Sequence, residues 1–496
     1  MASAPPTERE LDAYRAEADR FIAELDEEYY LHFAGLKDSF ELTPIYERHA
    51  GLFALERARS IAASVDGGSR VRELSRFACE GYLGELTREY SEKTARLQAE
   101  LEATVDGERI PLRMLRPAIA NEPDRSRRER LERARNEIVD EHLNPLYVES
   151  ARAVRAALPH LGAPNGVELY RRFGFELDEL AEQCRGLLES TEQLWEKAAS
   201  RLVRERVGID FADAKRWDVP RVFRAPGWDP QFPAATMVPA LEATLGDLGI
   251  DLRAQRNVHL DLEQRPQKTP RAFCAPIEVP DRVMLVIKPM GGPDDWRALF
   301  HEAGHAEHFA HTSPDLAVEE RRMGDNAVTE GWAALFAGLV SEPAWLTRRL
   351  DFPRPDQFAW EGAAEQLWFV RRYCAKLLYE LEFHAAADPA DVQDRYVELL
   401  GDATRIEPSA TDYLADIDEG FYVTFYLRSW AFEAQIRSFL REEFGSAWFA
   451  RLEAGSLLRE LWSEGQRLNA DELLREVTGS RIEMGAVADR LRETLA

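Results

Sequence analysis

Ten histidines serve the whole 496-residue chain, and four of them fall between His301 and His311. Five consecutive residues there, His301-Glu302-Ala303-Gly304-His305, form an HExxH segment. Residues four apart on a helix share a face, so the imidazoles of His301 and His305 project together and can hold one zinc ion. Glu302 stands beside them, placed to take a proton from a water on that ion. The surroundings suit a helix. Asp294 or Asp295 can cap its start, and Trp296, Leu299, Phe300, Ala303 and Phe309 give it an apolar face. The chemistry expected of this segment is zinc-assisted hydrolysis.

A catalytic zinc takes three protein ligands and keeps one position open. Two residues compete for the third place. His311 follows at the spacing of the metzincins, whose chain turns sharply after the second histidine. Nothing here breaks the helix before Ser313-Pro314. At about 100° per residue, a continuous helix carries His311 roughly 80° off the face of His301. The other candidate, Glu330, sits in the segment 325–340, which is apolar nearly all round and reads as a buried helix. An unpaired carboxylate there is costly, and a metal removes the cost. Ala333, Ala334 and Ala337 on the same face let a neighbouring helix come close. The alternative to a metal is an ion pair from Glu330 to Arg321 or Arg322. His308 shares the His301 face two turns on, beyond reach of the same ion. It is expected to orient the site, touch substrate or fill the core.

Most of the chain reads helical. Residues 7–35, 70–104 and 125–158 carry apolar positions at helical spacing between charges. A stretch rich in Trp and Pro between Gly208 and Pro239 suggests a soft boundary, with a helical lobe over 1–207 and a catalytic region over 208–496. The one β signal is a hairpin, 271–279 and 282–287, around Pro280-Asp281. Its residues Ala272 and Phe273 are expected near substrate, because a strand edge can hold an extended peptide.

Composition narrows the partners. The formal charge is −26, against the basic footprint of nucleic-acid binding and against an anionic membrane surface. No apolar run is long enough for a membrane span, and residues 1–10 lack a signal-peptide core. Cys79, Cys184, Cys274 and Cys374 lie far apart with no CxxC pair, which points to a reduced cytoplasmic setting.

The segment Leu299-Phe-His-Glu-Ala-Gly-His-Ala-Glu-His308 resembles the signature of the thimet oligopeptidase and oligoendopeptidase F family of zinc peptidases. Lys268-Thr-Pro-Arg-Ala-Phe-Cys274 is similar to that family's strand ahead of the zinc helix. Trp217-Asp218, with Asp229 and Phe232-Pro233, is similar to its entry to the catalytic region, and Phe421-Tyr-Val-Thr-Phe-Tyr426 to its tyrosine segment. The resemblance spans roughly 210–480. It implies a mainly α, two-lobed fold with a small β hairpin or sheet beside the active-site helix and a deep substrate channel. It also implies zinc on His, His and Glu (the gluzincin arrangement) and short peptides as substrates.

Tyr422 and Tyr426, four apart, share a helix face, and a phenol aimed at the scissile carbonyl would stabilise its oxyanion. The chain departs from the family here. Thr424 stands where a tyrosine is usual, and Asp416–Gly420 offers no histidine. The resulting expectation is a zinc metallopeptidase for short or unfolded peptides. Zinc lies on His301, His305 and Glu330, Glu302 is the base, and Tyr426 or Tyr422 supports the oxyanion. Two alternatives stay open. One is a zinc carboxypeptidase using Arg371, Arg372 or Arg428 to hold the terminal carboxylate. The other is a catalytically weak, zinc-containing peptide-binding protein.

Overall fold

A computed structural model describes residues 6–64 and 67–496. The expectation for the extreme N-terminus rests partly on residues 1–5, which lie outside the described residues. Among these described residues the fold is mainly α, with two small sheets. The chain divides into two compact units, each built from separate stretches of sequence. One holds Met1–Phe77, Pro226–Gly362 and Phe425–Arg490. The other holds Ala78–Ala225, Ala363–Thr424 and Leu491–Ala496.

The first helix, Glu8–Phe33, explains why the N-terminal residues group with the HExxH segment. Its apolar face buries Tyr30, and Ala34 just beyond it, against Ala275, Ile277, Met284 and Val286 of the sheet. Its polar side exchanges ion pairs with a later segment: Arg15 donates to Glu319 at 2.7 Å, and Arg321 and Arg322 donate to Asp19 and Asp26 at 3.0 and 2.6 Å. No composition shift marks such long-range pairing.

The β content exceeds what the sequence suggested. Strands β1 (Glu102–Val105) and β2 (Glu108–Pro111) form a hairpin at the end of a helix, Ser69–Glu100, that had been expected to run to 104. The missed signal is Asp106-Gly107, both at positive φ (53° and 85°), a dipeptide that favours tight hairpin turns. The other sheet has three strands in the order β3-β5-β4. Strand β4 (Phe273–Glu278) and β5 (Arg282–Val286) are the expected hairpin, and β3 (Val258–Asp261) adds to β5 in parallel. One face of the hairpin meets the first helix through Ala275 and Ile277. The other side meets the helix Pro293–His311, which carries the HExxH segment.

That histidine helix packs most closely on a second one, Asn326–Leu339, which carries Glu330. Gly304 makes the approach possible. A Cβ there would fall 2.6 Å from Ala333 Cα and 2.7 Å from the Trp332 carbonyl oxygen. Of the three alanines expected to open the contact, Ala333 is fully buried, whereas Ala334 and Ala337 are half-buried.

Candidate metal centre

The histidine helix runs unbroken from Pro293 to His311, so the spacing argument for its faces holds throughout. His301 and His305 rings lie 4.8 Å apart, centroid to centroid. Across the helix contact, Glu330 Oε2 is 3.5 Å from His301 Nε2 and 3.8 Å from His305 Nε2. One ligand atom from each of these residues lies within 4.8 Å of the others. Tetrahedral zinc ligands at about 2.1 Å must stand roughly 3.4 Å apart. Two imidazole nitrogens and a carboxylate oxygen at these separations fit that ion. Neither arginine named as a partner for Glu330 reaches it. Arg321 bonds the Val279 carbonyl and Asp19, and Arg322 bonds the Ile277 and Pro276 carbonyls and Asp26.

His311 does not join the group. Its Nδ1 lies 2.9 Å from the Glu307 carbonyl on its own helix, and its ring packs on Trp462. His308 is completely buried, with Nε2 at 3.2 Å from the Gly465 carbonyl, and burial pushes its pKa down to about 4. It is therefore a neutral histidine buried in the core.

Glu302 points the other way along the helix, toward the sheet. Its Oε2 accepts the backbone N–H of Cys274 at 2.9 Å, on β4. Burial raises its pKa to about 7, opposed mainly by His301. Burial lowers His305 to about 3, while His301 is raised, because Glu330 and Glu302 outweigh its own burial. His301 keeps 32% of its side chain exposed, so the donor set is open to solvent on one side.

Two partners escaped sequence reasoning. Thr329 Oγ1 lies 2.7 Å from His305 Nδ1 and so fixes that ring from the far side. A threonine next to Glu330 was visible in sequence, but its direction was not. Asp325 caps the Glu330 helix by accepting the Ala327 N–H at 3.1 Å. It also takes both Arg428 nitrogens, at 2.8 and 2.7 Å. Arg428 lies two residues after Tyr426 on the helix Tyr422–Phe444, so this pair ties the Tyr426 turn to the Glu330 helix.

Tyr422 and Tyr426 are both half-buried, and Tyr426 stacks on Trp430 at 6.4 Å. Tyr422 belongs to the other compact unit. Thr424 is buried, and its hydroxyl donates to the Phe421 carbonyl at 2.8 Å. The three arginines considered for a terminal carboxylate are already engaged. Arg371 binds the Ala403 and Leu188 carbonyls, Thr191 and Glu192; Arg372 binds Asp416; Arg428 binds Asp325 and Asp471.

The edge of β4 is also partly spent. The Cys274 N–H goes to Glu302, Pro276 has no N–H, and Arg322 takes the Pro276 and Ile277 carbonyls. Alternation along the strand leaves the backbone around Ala272, with the Cys274 carbonyl, facing outward. Ala272 itself is buried and Phe273 half-buried.

No family model and no curated protein sequence matches the chain. Solved structures do match. PZ peptidase A, in a structure with an inhibitor, is 19% identical over all of this chain and 89% of its own, with a TM-score of 0.60. A protein from Bacillus anthracis str. Ames assigned as an oligoendopeptidase F is 17% identical over 99% of this chain and 86% of its own, also at 0.60. A further structure assigned as an oligoendopeptidase F is 18% identical over 98% and 86%, at 0.62. Together with the helix pair that gathers His301, His305 and Glu330, these likenesses give the chain the fold of the oligoendopeptidase F and PZ peptidase structures.

Proposed function

We propose that the protein is a zinc-dependent peptidase that hydrolyses short or unfolded peptides. The observation that carries this reading is the convergence of His301, His305 and Glu330, with Glu302 tethered one residue from the first ligand. Zinc held by those three groups would supply Lewis acidity and a water that ionises near neutral pH. All four cysteines are free thiols, in keeping with a reducing compartment, the cytoplasm.

The chain's own groups have separate tasks. Glu302 takes the proton of the attacking water and hands it to the leaving amine. The Cys274 N–H holds its other position and keeps the carboxylate against the strand. The outward backbone around Ala272, with the Cys274 carbonyl, receives an extended peptide alongside Phe273, which favours broad sequence tolerance. Tyr426, or Tyr422, donates its phenol to the oxyanion.

A second reading, a weakly catalytic zinc-containing peptide binder, draws on Thr424. Its hydroxyl is tied to the backbone of its own turn and adds nothing to the oxyanion contacts. A carboxypeptidase finds less support, since Arg371, Arg372 and Arg428 are all paired.

Mass spectrometry of peptide mixtures, incubated with zinc-loaded protein with and without chelator, separates the readings. Internal cleavage that chelator stops, and that amidated C-termini do not prevent, supports the peptidase. Binding without turnover supports the weak binder, and cleavage confined to free C-termini supports the carboxypeptidase.

A further inference from the structure

The unit that lacks the metal centre contains a cavity of about 400 Å³. One wall is a helix face of the segment Pro355–Ala385, carrying Trp368, Phe369 and Arg372 at helical spacing. Phe223 closes against it, with its ring 5.4 Å from Trp368. The floor is electrostatically settled. Arg372 pairs with Asp416, which also accepts the Tyr396 hydroxyl at 2.9 Å, and Asp412 accepts Arg135 at 2.6 Å. Glu365, the remaining carboxylate of the lining, is engaged within the protein.

Two cations in this lining are not settled. Arg216 has no carboxylate within 4 Å among the described residues, and Arg116 has only Asp412, at 3.9 Å and without a hydrogen bond. Partial burial, then the nearby Arg135 and Arg216, lower the Arg116 pKa against the pull of Asp412, so the two rim arginines feel each other. Two such cations lining one cavity, on a chain of net charge −26, mark a place for an anion. The aromatic walls ask for an apolar body on it, and the volume suits a ligand of one or two residues.

We propose that this cavity binds an α-carboxylate carried next to a large apolar side chain, with Arg116 and Arg216 on the carboxylate and Phe223 and Trp368 on the side chain. The chemistry is shared by a free amino acid and by the C-terminal end of a short peptide. The proposal does not depend on the metal centre or on turnover.

The test is calorimetry on the full chain, using N-acetyl-L-phenylalanine and its amide as probes. It is repeated on chelator-treated protein and on the His301→Ala variant, which removes any binding to a metal. The acid should saturate in all three preparations, and the amide should bind at least roughly tenfold more weakly, as expected for loss of a charge-assisted hydrogen bond. The double variant Arg116→Gln, Arg216→Gln should lose the acid to a similar degree while circular dichroism and melting stay unchanged. In the His301→Ala background, L-phenylalanine against Ala-Phe tells the free amino acid from the peptide end. Equal binding of acid and amide, no saturation by the acid, or full affinity in a folded double variant would each overturn the proposal.

Discussion

His305 Nδ1 lies 2.7 Å from the hydroxyl of Thr329, the residue just before Glu330. The same helix thus presents a carboxylate to one nitrogen of the ring side and a hydroxyl to the other. With Nε2 given to a metal beside Glu330, Nδ1 would carry the ring proton and donate it to Thr329 Oγ1. Partners of this kind fix the ring and its tautomer, and their loss typically weakens metal binding by about 10–100-fold. Thr329→Val keeps the shape and removes the acceptor. Zinc affinity, read by competition with a chromogenic chelator, should fall within that range. An unchanged affinity would show that the ring is held by packing alone.

Gly304 is where the two ligand helices touch. Gly304→Ala places a methyl group against the Ala333 backbone at 2.6 Å, and backbone cannot move aside cheaply. Overpacking of this kind costs about 1–3 kcal/mol, and here it also pushes Glu330 away from the histidines. Denaturant unfolding and zinc titration should both register the change. Normal stability together with normal zinc affinity would mean that the helices are free to slide.

Much of this centre was legible because it is local. The i, i+4 histidines, the unbroken helix to His311 and the buried apolar helix around Glu330 are all short-range patterns. The hairpin of β4 and β5 was legible for the same reason. Strand β3 was not, because four residues such as Val258–Asp261 become a strand only when β5 lies beside them. Nor was the grouping of the first helix with the sheet, which rests on the pairing of Asp19 and Asp26 with arginines some three hundred residues away. The Asp106-Gly107 turn is a readable signal that the long helical pattern before it masks.

Tyr426→Phe removes one hydroxyl and no bulk. If that hydroxyl meets the oxyanion, kcat should fall by about 10²–10³-fold with KM little changed. Tyr422→Phe is the paired comparison, since both rings are half-buried on the same helix. Unchanged kcat in both single variants and in the double variant would remove the tyrosines from the mechanism and favour the weak binder.

His384 gives the fold a defined acid sensitivity. Burial, reinforced by Arg155, pushes its pKa down to about 3, and its Nε2 is buried with no partner among the described residues. The folded state therefore keeps the ring neutral, while the unfolded chain takes up a proton below about pH 6.5. The stability this provides is complete above that pH and is lost as pH falls toward 3. Between pH 4 and 6 the dependence amounts to about 1.4 kcal/mol per pH unit. His384→Leu should flatten the stability–pH curve by that slope in this window, measured by urea unfolding at several pH values. An unaltered slope would mean that the ring is protonated in the folded protein.

The ligand set itself is tested most directly by zinc content, measured by inductively coupled plasma mass spectrometry on purified wild type, Glu330→Ala and His311→Ala. The geometry predicts about one zinc per chain in the wild type and in His311→Ala, whose ring is turned to Glu307 and Trp462, and little or none in Glu330→Ala. Zinc retained by Glu330→Ala and lost from His311→Ala would contradict the account.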